Sequence, residues 1–147
     1  MAPGYSAGMT IEIVRLTAAN ADLLSNVAED VFDTEVVAAR LRAYLAEPVN
    51  LMIVAVDGDL VVGQAAAVIH KHPDKPDELF IDEVGVSPDW RRQGIAQRMM
   101  QALFALGRSL GCQASWLATE VDNLPARRLY ESFGEDGVAI VMFDFDL

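Results

Sequence analysis

Leu79-Phe80-Ile81-Asp82-Glu83-Val84-Gly85-Val86, followed after four residues by Arg91-Arg92-Gln93-Gly94-Ile95-Ala96, decides how this chain is read. The first stretch has the apolar composition of a buried strand. Beyond the second, Ile95, Met99, Ala102, Leu103, Leu106 and Leu110 recur at helical spacing, and Gly111 supplies a stop. The order is strand, short loop, helix, with a glycine at the helix mouth. A helix start carries unpaired backbone N–H groups and the positive end of the macrodipole. Gly94 lets a ligand approach the backbone, and Arg91 and Arg92 add two cations, so the physics points to an anion site for phosphate or pyrophosphate. A dinucleotide fingerprint is absent, and no Gly-Lys-Ser/Thr follows to make a P-loop.

The rest of the 147 residues organises around this unit. Ile11 to Leu16 alternates like a first strand. Thr17 is expected to cap a helix running to about Val31, and Thr34 a second helix that stops near Pro48. Leu51–Val56 and Leu60–Ile69 read as strands joined by a turn at Asp57-Gly58, and His70 to Glu78 as a polar loop. After the motif helix come a strand from Gln113 to Thr119, a helix from Asn123 to Phe133, and a last strand from Val138 to Phe145. The order β-α-α-β-β-β-α-β-α-β is mixed α/β.

Size and hydrophobicity fit one globular domain over residues 9–147, preceded by a flexible tail over residues 1–8, with Met9 an alternative start. No apolar run approaches the ~18 residues of a membrane span, and the opening residues lack the basic and apolar regions of a signal peptide. The single Cys112 excludes an intrachain disulfide and fits a reducing cytoplasm. The net charge of -11 is uneven: Arg91 to Arg128 holds six arginines against Glu120 and Asp122, a net +4, and the remainder carries -15. An anionic cofactor belongs with the first region and a cationic partner with the second; nucleic acid would need a basic face. His70-x-His72 with Asp74 lacks a third strong ligand, and no metal is expected. Trp90 and Trp116 are read as packing residues.

Arg91-x-x-Gly94-x-Ala96 resembles the R/Q-x-x-G-x-G/A signature of the GNAT acyl-CoA N-acyltransferases, and Asn123-Leu-Pro-Ala-Arg-Arg-Leu-Tyr-Glu-Ser-Phe133 with Gly134 is similar to that superfamily's N-x-x-A-x-x-L-Y segment. The resemblance implies the GNAT fold, a mixed central sheet of about six to seven strands with about four helices. It also implies acetyl-CoA as co-substrate, with the pyrophosphate held by Arg91, Arg92, Gln93, Gly94, Ile95 and Ala96. Backbone groups of Val84, Gly85 and Val86 would serve the pantetheine arm and the oxyanion, and Asn123 would meet the pantetheine or simply cap its helix. The loop from His70 into the motif strand, Arg-Arg-Gln-Gly-Ile-Ala, and the acidic end of the chain together resemble the aminoglycoside 3-N-acetyltransferases. That implies a cationic amine substrate, the 3-amino group of 2-deoxystreptamine, and antibiotic resistance.

Acetyl transfer to an amine requires that the amine lose a proton, that the oxyanion be stabilised and that the leaving thiolate be protonated. Glu83, in the strand entering the cofactor loop, is the candidate base, directly or through water; the alternative is a carboxylate that only attracts the ammonium. In a regular strand Asp82 would point to the other face, unless a bulge intervenes. Tyr130 falls at the superfamily's general-acid position; otherwise it is a half-buried helix aromatic. Asp82, Glu120, Asp122, Asp144 and Asp146, with Asp33 and Glu35, are candidate acids for substrate capture. Rival expectations are a GNAT enzyme for a polyamine, an amino acid or a protein N-terminus, and a non-catalytic acyl-CoA-binding module. The sequence leaves the oligomeric state open; a homodimer, with the apolar last strand contributing, is one option.

Overall fold

A computed structural model describes residues 10–147; the tail expected over residues 1–8 lies outside them. The described chain divides into two units, one reaching Leu117 and the other Ala118–Leu147.

The first unit is built on a five-stranded sheet in sequential order: β1 (Ile11–Arg15), β2 (Asn50–Asp57), β3 (Leu60–His70), β4 (Glu78–Val86) and β5 (Ala114–Trp116). The first four strands are antiparallel, and β5 joins β4 in parallel. Side chains alternate across such a sheet, so β2 serves two cores. Met52, Val54 and Val56 pack with Leu16, Leu24, Val31, Val61 and Ala66, against Leu41, Tyr44 and Leu45 of α1 (Ala38–Ala46). The other face receives α2 (Ile95–Ser109), whose Ile95, Met99, Met100 and Leu103 are fully buried. Two glycines let α2 approach. A Cβ at Gly107 would stand 2.9 Å from the Leu79 side chain, and one at Gly63 would stand 3.0 Å from the Met99 methyl. At its edge the helix is tied to β1, Arg98 Nη2 donating to the Ile11 carbonyl at 3.0 Å.

The predicted helix from Thr17 to Val31 is a shorter 3-10 segment, Ala18–Ser25. Thr17 caps it as expected, in a capping box with Asn20. It stops early because the following backbone pairs with β3 instead: Val61 N donates to Asn26 O and Ala28 N to Val61 O, both at 2.9 Å. Thr34 is not the cap of α1, which begins behind Val37 without a side-chain cap.

The second unit contains α3 (Leu124–Glu131), capped by Asn123, whose Oδ1 accepts from Ala126 N at 3.3 Å. The strand expected from Val138 to Phe145 is absent; residues 135–147 carry no regular secondary structure and are exposed. Alternation gives a segment the propensity to be a strand, but a strand exists only with a ladder to satisfy its backbone. The sheet therefore has five strands among the described residues, fewer than expected. No helix among these residues is long and apolar enough to cross a membrane.

Candidate functional site

The site is assembled where β4 changes its pairing twice. On its β3 side the register slips between Ala66 and Ala67: Ala66 faces Glu83 and Ala67 faces Ile81, leaving Asp82 as the extra residue of a bulge. Strict alternation therefore fails here, and Asp82 is not simply turned to the opposite face from Glu83. Both carboxylates are exposed, and both raise the Tyr44 hydroxyl on α1, which burial and these charges push up to about 12. That hydroxyl donates to the Leu51 carbonyl at 3.2 Å.

The bulge also fixes the face. Ile81 remains buried with Leu79 beneath α2, while Glu83 shares the face of Ala66, in the core that includes Tyr44. Partial desolvation raises the Glu83 carboxyl above the ordinary glutamate value although the residue is largely open to solvent, and the charges of Asp33 and Asp82 raise it further; a hydrogen bond from Gln64 opposes them. Asp82 is also raised, by burial. Asp33 lies in the segment between the 3-10 turn and α1. That segment lines an open depression of about 530 Å³ with Glu29, Asp30, Asp33 and Glu35.

On its other side β4 leaves β5 early. The parallel pairing runs only from Glu78–Ala114 to Phe80–Trp116, where the two rings stack with centroids 4.2 Å apart. From Ile81 to Val86 this side of β4 has no strand neighbour among the described residues. Ser87 N donates to Val62 O on β3, so alternation turns the N–H groups of Val84 and Val86 away from β3. Beyond Phe80 these two N–H groups therefore have no strand partner among the described residues. Gly85 is required by a close approach: a Cβ there would stand 2.6 Å from the Val31 carbonyl oxygen.

Four residues on, the chain enters α2 through a loop with left-handed backbone at Arg92 (φ 61) and Gly94 (φ 76). Gly94 is the N-cap and brings no side chain, so the first-turn N–H groups of α2 are left to an outside acceptor. A Cβ at Gly94 would meet nothing within 4 Å, which means that the glycine keeps open space beside the helix mouth. Arg92, Gln93 and Gly94 are exposed, Ile95 is buried in the core, and Ala96 is half-buried. Arg91 is partly committed to the fold, its Nε donating to the Val86 carbonyl at 2.9 Å. Open backbone donors, a positive helix end and adjacent arginine suit a pyrophosphate.

This loop yields a matched pair of variants. Gly94→Ala is expected to weaken coenzyme A binding roughly tenfold by filling the space at the helix mouth. Its left-handed backbone adds a strain of about 1 kcal/mol. Gly111→Ala, at the far end of α2 with φ 99 and equally open surroundings, carries at least as much backbone strain without touching the loop. Calorimetry should find affinity reduced in the first variant and kept in the second.

Asp82, Glu83, Val84, Gly85, Val86 and the Arg91–Ala96 loop thus lie together along one stretch of the first unit. Asn123, Tyr130, Glu120, Asp122, Asp144 and Asp146 belong to the second. There Tyr130 is half-buried and its hydroxyl raised by burial, while Glu120, Asp122, Asp144 and Asp146 are exposed. Asp144 and Asp146 stand on irregular chain rather than on the strand expected for them. Trp90 is a packing residue held to Asp57, Nε1 to Oδ2 at 2.9 Å, whereas Trp116 is 46% exposed. Sequence reasoning missed Gln64 and Tyr44. For Gln64 a signal existed: one amide inside the apolar run Val61-Val62-Gly63-Gln64-Ala65-Ala66-Ala67.

Comparison with known proteins gives the family and the fold. A family model described as the Acetyltransferase (GNAT) family matches residues 18–134. N-alpha-acetyltransferase 30 of Schizosaccharomyces pombe is 32% identical over 93 residues, 63% of this chain and 62% of that protein. The matched stretches span from 21% to 62% of the length of the first three curated relatives. Among solved structures, an aminoglycoside acetyltransferase from an uncultured soil metagenomic sample, in complex with trehalose, superposes with a TM-score of 0.82 at 17% identity. It covers 95% of this chain and 97% of that one. AAC(6')-Iy in complex with a bisubstrate analogue gives 0.78 at 17% identity, covering 93% and 98%.

Proposed function

The chain belongs to the Acetyltransferase (GNAT) family, and we propose that it is an acetyl-CoA-dependent N-acetyltransferase acting on an amine of an aminoglycoside, the 3-amino group of 2-deoxystreptamine. The observation that carries the reading is the stretch from the β4 bulge to the mouth of α2. It sets a carboxylate of raised proton affinity, two backbone N–H groups without a strand partner and an anion-binding helix end one after another along β4 and the loop that follows it.

Acetyl-CoA supplies an acetyl group activated as a thioester. The first-turn N–H groups of α2, with Arg92 and Gln93, hold the pyrophosphate, while Arg91 fixes the loop to Val86. The N–H groups of Val84 and Val86 bond the amide carbonyls of the pantetheine arm and steady the oxygen on which charge develops. Glu83 accepts the proton from the substrate ammonium, directly or through one water. Asp33 and Asp82 raise its proton affinity and draw the cation. Tyr130 is assigned the proton for the departing thiol, and Asn123 a contact to the pantetheine, on their motif alone. Glu120, Asp122, Asp144 and Asp146 are proposed to neutralise further ammonium groups.

The aminoglycoside assignment rests on the motif resemblance and on neighbours that are aminoglycoside acetyltransferases. One of them was solved with sisomicin. Curated relatives such as the [ribosomal protein bS18]-alanine N-acetyltransferase of Escherichia coli favour a second reading with a peptide amine as acceptor. Thiol release from acetyl-CoA across gentamicin-type aminoglycosides, polyamines and peptides separates the two. The expected result is turnover with aminoglycosides, a product acetylated at the 3-amino group by NMR, and a kcat/KM that falls steeply as salt rises, because screening weakens exposed charge pairs. Turnover confined to peptides would overturn the aminoglycoside reading. Acetylation at another amine would correct the position alone.

A further inference from the structure

We propose that Gln64 is a positioning residue for Glu83: its buried amide ties the Glu83 carboxylate to the Val31 carbonyl and so fixes the direction in which that carboxylate faces. The inference rests on the reading of Glu83 as the base. Gln64 lies in the middle of β3 and is 2% exposed; with Ser87 it is one of two buried polar side chains among the described residues. Its Nε2 donates to Val31 O at 3.3 Å and to Glu83 Oε2 at 3.4 Å. The register explains the reach. Gln64 is paired with Gly85, and Glu83 is the diagonal neighbour on the same face. Because Gly85 has no side chain, Val31 O can descend onto the sheet and the amide can span the space above the glycine.

Stability alone does not account for an amide at this point. Its Oε1 has no hydrogen-bond partner among the described residues. A buried acceptor left unpaired costs about 1–3 kcal/mol, so the unpaired Oε1 offsets what the bond to the Val31 carbonyl contributes. Its neighbours Val61, Val62, Ala65, Ala66 and Ala67 are all buried and apolar. What the amide does, and an apolar side chain cannot, is give one bond to the inner oxygen of Glu83. The carboxylate is then free to present its other oxygen outward. The same bond favours the ionised form against burial and against the charges of Asp33 and Asp82.

Gln64→Met keeps length and bulk and removes the amide. Three readouts decide the matter. The Glu83 carboxyl, followed by carbon-detected NMR through a pH titration, is expected to titrate at higher pH in the variant than in the wild type. The acidic limb of kcat is expected to move the same way, with kcat on the order of tenfold lower below it and KM for acetyl-CoA unchanged. The melting temperature is expected to stay about level, because relief of the unpaired Oε1 is offset by a Val31 carbonyl that loses its donor, so the double variant separates positioning from a structural role. In a Glu83→Gln background the second change should cost nothing further in kcat. An unmoved Glu83 titration, or an equal loss of kcat in the Glu83→Gln background, overturns the proposal. A shifted titration in a protein that acetylates no amine supports the positioning of Glu83 and refutes the proposed activity, so the two failures are distinguishable.

Discussion

Glu83→Gln is expected to remove roughly 10²- to 10⁴-fold from kcat while leaving the affinity for coenzyme A unchanged, the range for loss of a general base. The carboxylate sits on the outer side of the β4 bulge, and the cofactor loop begins eight residues later, so the amide replacement disturbs only the proton acceptor. The sign of the pH dependence follows from the environment. Burial, then Asp33, then Asp82 raise the Glu83 carboxyl, so it holds its proton to higher pH than an ordinary glutamate. Activity that needs the ionised form disappears as pH falls through that raised value. In Glu83→Gln the acidic limb disappears altogether. A carboxylate that only attracted the ammonium would instead give a raised KM with kcat nearly intact, and this pattern would contradict the assignment.

Stability carries the opposite sign. A raised folded-state value means that the native protein binds the proton more tightly than the unfolded chain does. The stabilisation is fully present below the unfolded value and is lost as pH rises through the folded one. At the pH where Glu83 is ionised and ready to accept a proton, it works against the fold. The glutamine variant should therefore melt slightly higher than the wild type at pH 8, and this gain should shrink as the pH is lowered toward the unfolded carboxylate range.

The largest structural effect is expected from Gly85→Ala. The added methyl would stand 2.6 Å from the Val31 carbonyl oxygen, a backbone atom that cannot swing aside like a side chain. The segment carrying Val31 must lift or β4 must yield, at about 2–3 kcal/mol for such overpacking. That corresponds to a fall in Tm of about 5–10 °C in a domain of this size. Lifting Val31 also removes the far anchor of Gln64 and shifts Asp33, so turnover should fall more than the loss of folded protein explains. Gly137→Ala, where the methyl meets nothing within 4 Å, is the control and should leave Tm unchanged. Equal melting of the two variants would show that the close contact at Gly85 is relieved without strain.

The parts of the fold that local chemistry encodes were legible in the sequence. The apolar spacing of Ile95, Met99 and Leu103 marks α2, Asp57-Gly58 marks the hairpin, and Asn123 sits where a cap is needed. The parts decided by partners were not. Asn26 and Ala28 leave the helical pattern because β3 offers them hydrogen bonds. Val138 to Phe145 alternates like a strand yet has no ladder among the described residues. In the site, residue type and position make Glu83 and Gly94 candidates. The roles of Gln64, Tyr44 and the Val31 carbonyl arise only when strands distant in sequence are laid side by side. The bulge is the sharpest case, since one slipped pair decides which face receives Glu83.

That slipped pair gives the gene an uneven tolerance to lost codons. Asp82 is the residue without a partner on β3. Its removal would leave Glu83 opposite Ala66 and Ile81 opposite Ala67, and the chain would continue into the cofactor loop in phase. Loss of a codon between Glu83 and Arg91 has no spare residue to absorb it. Side chains alternate with a period of two, so either Glu83 turns into the core beneath α2 or the loop is pulled toward the sheet. In this chain the residue at the bulge can therefore be lost without a change of phase, while the spacing from Glu83 to Gly94 is held by geometry.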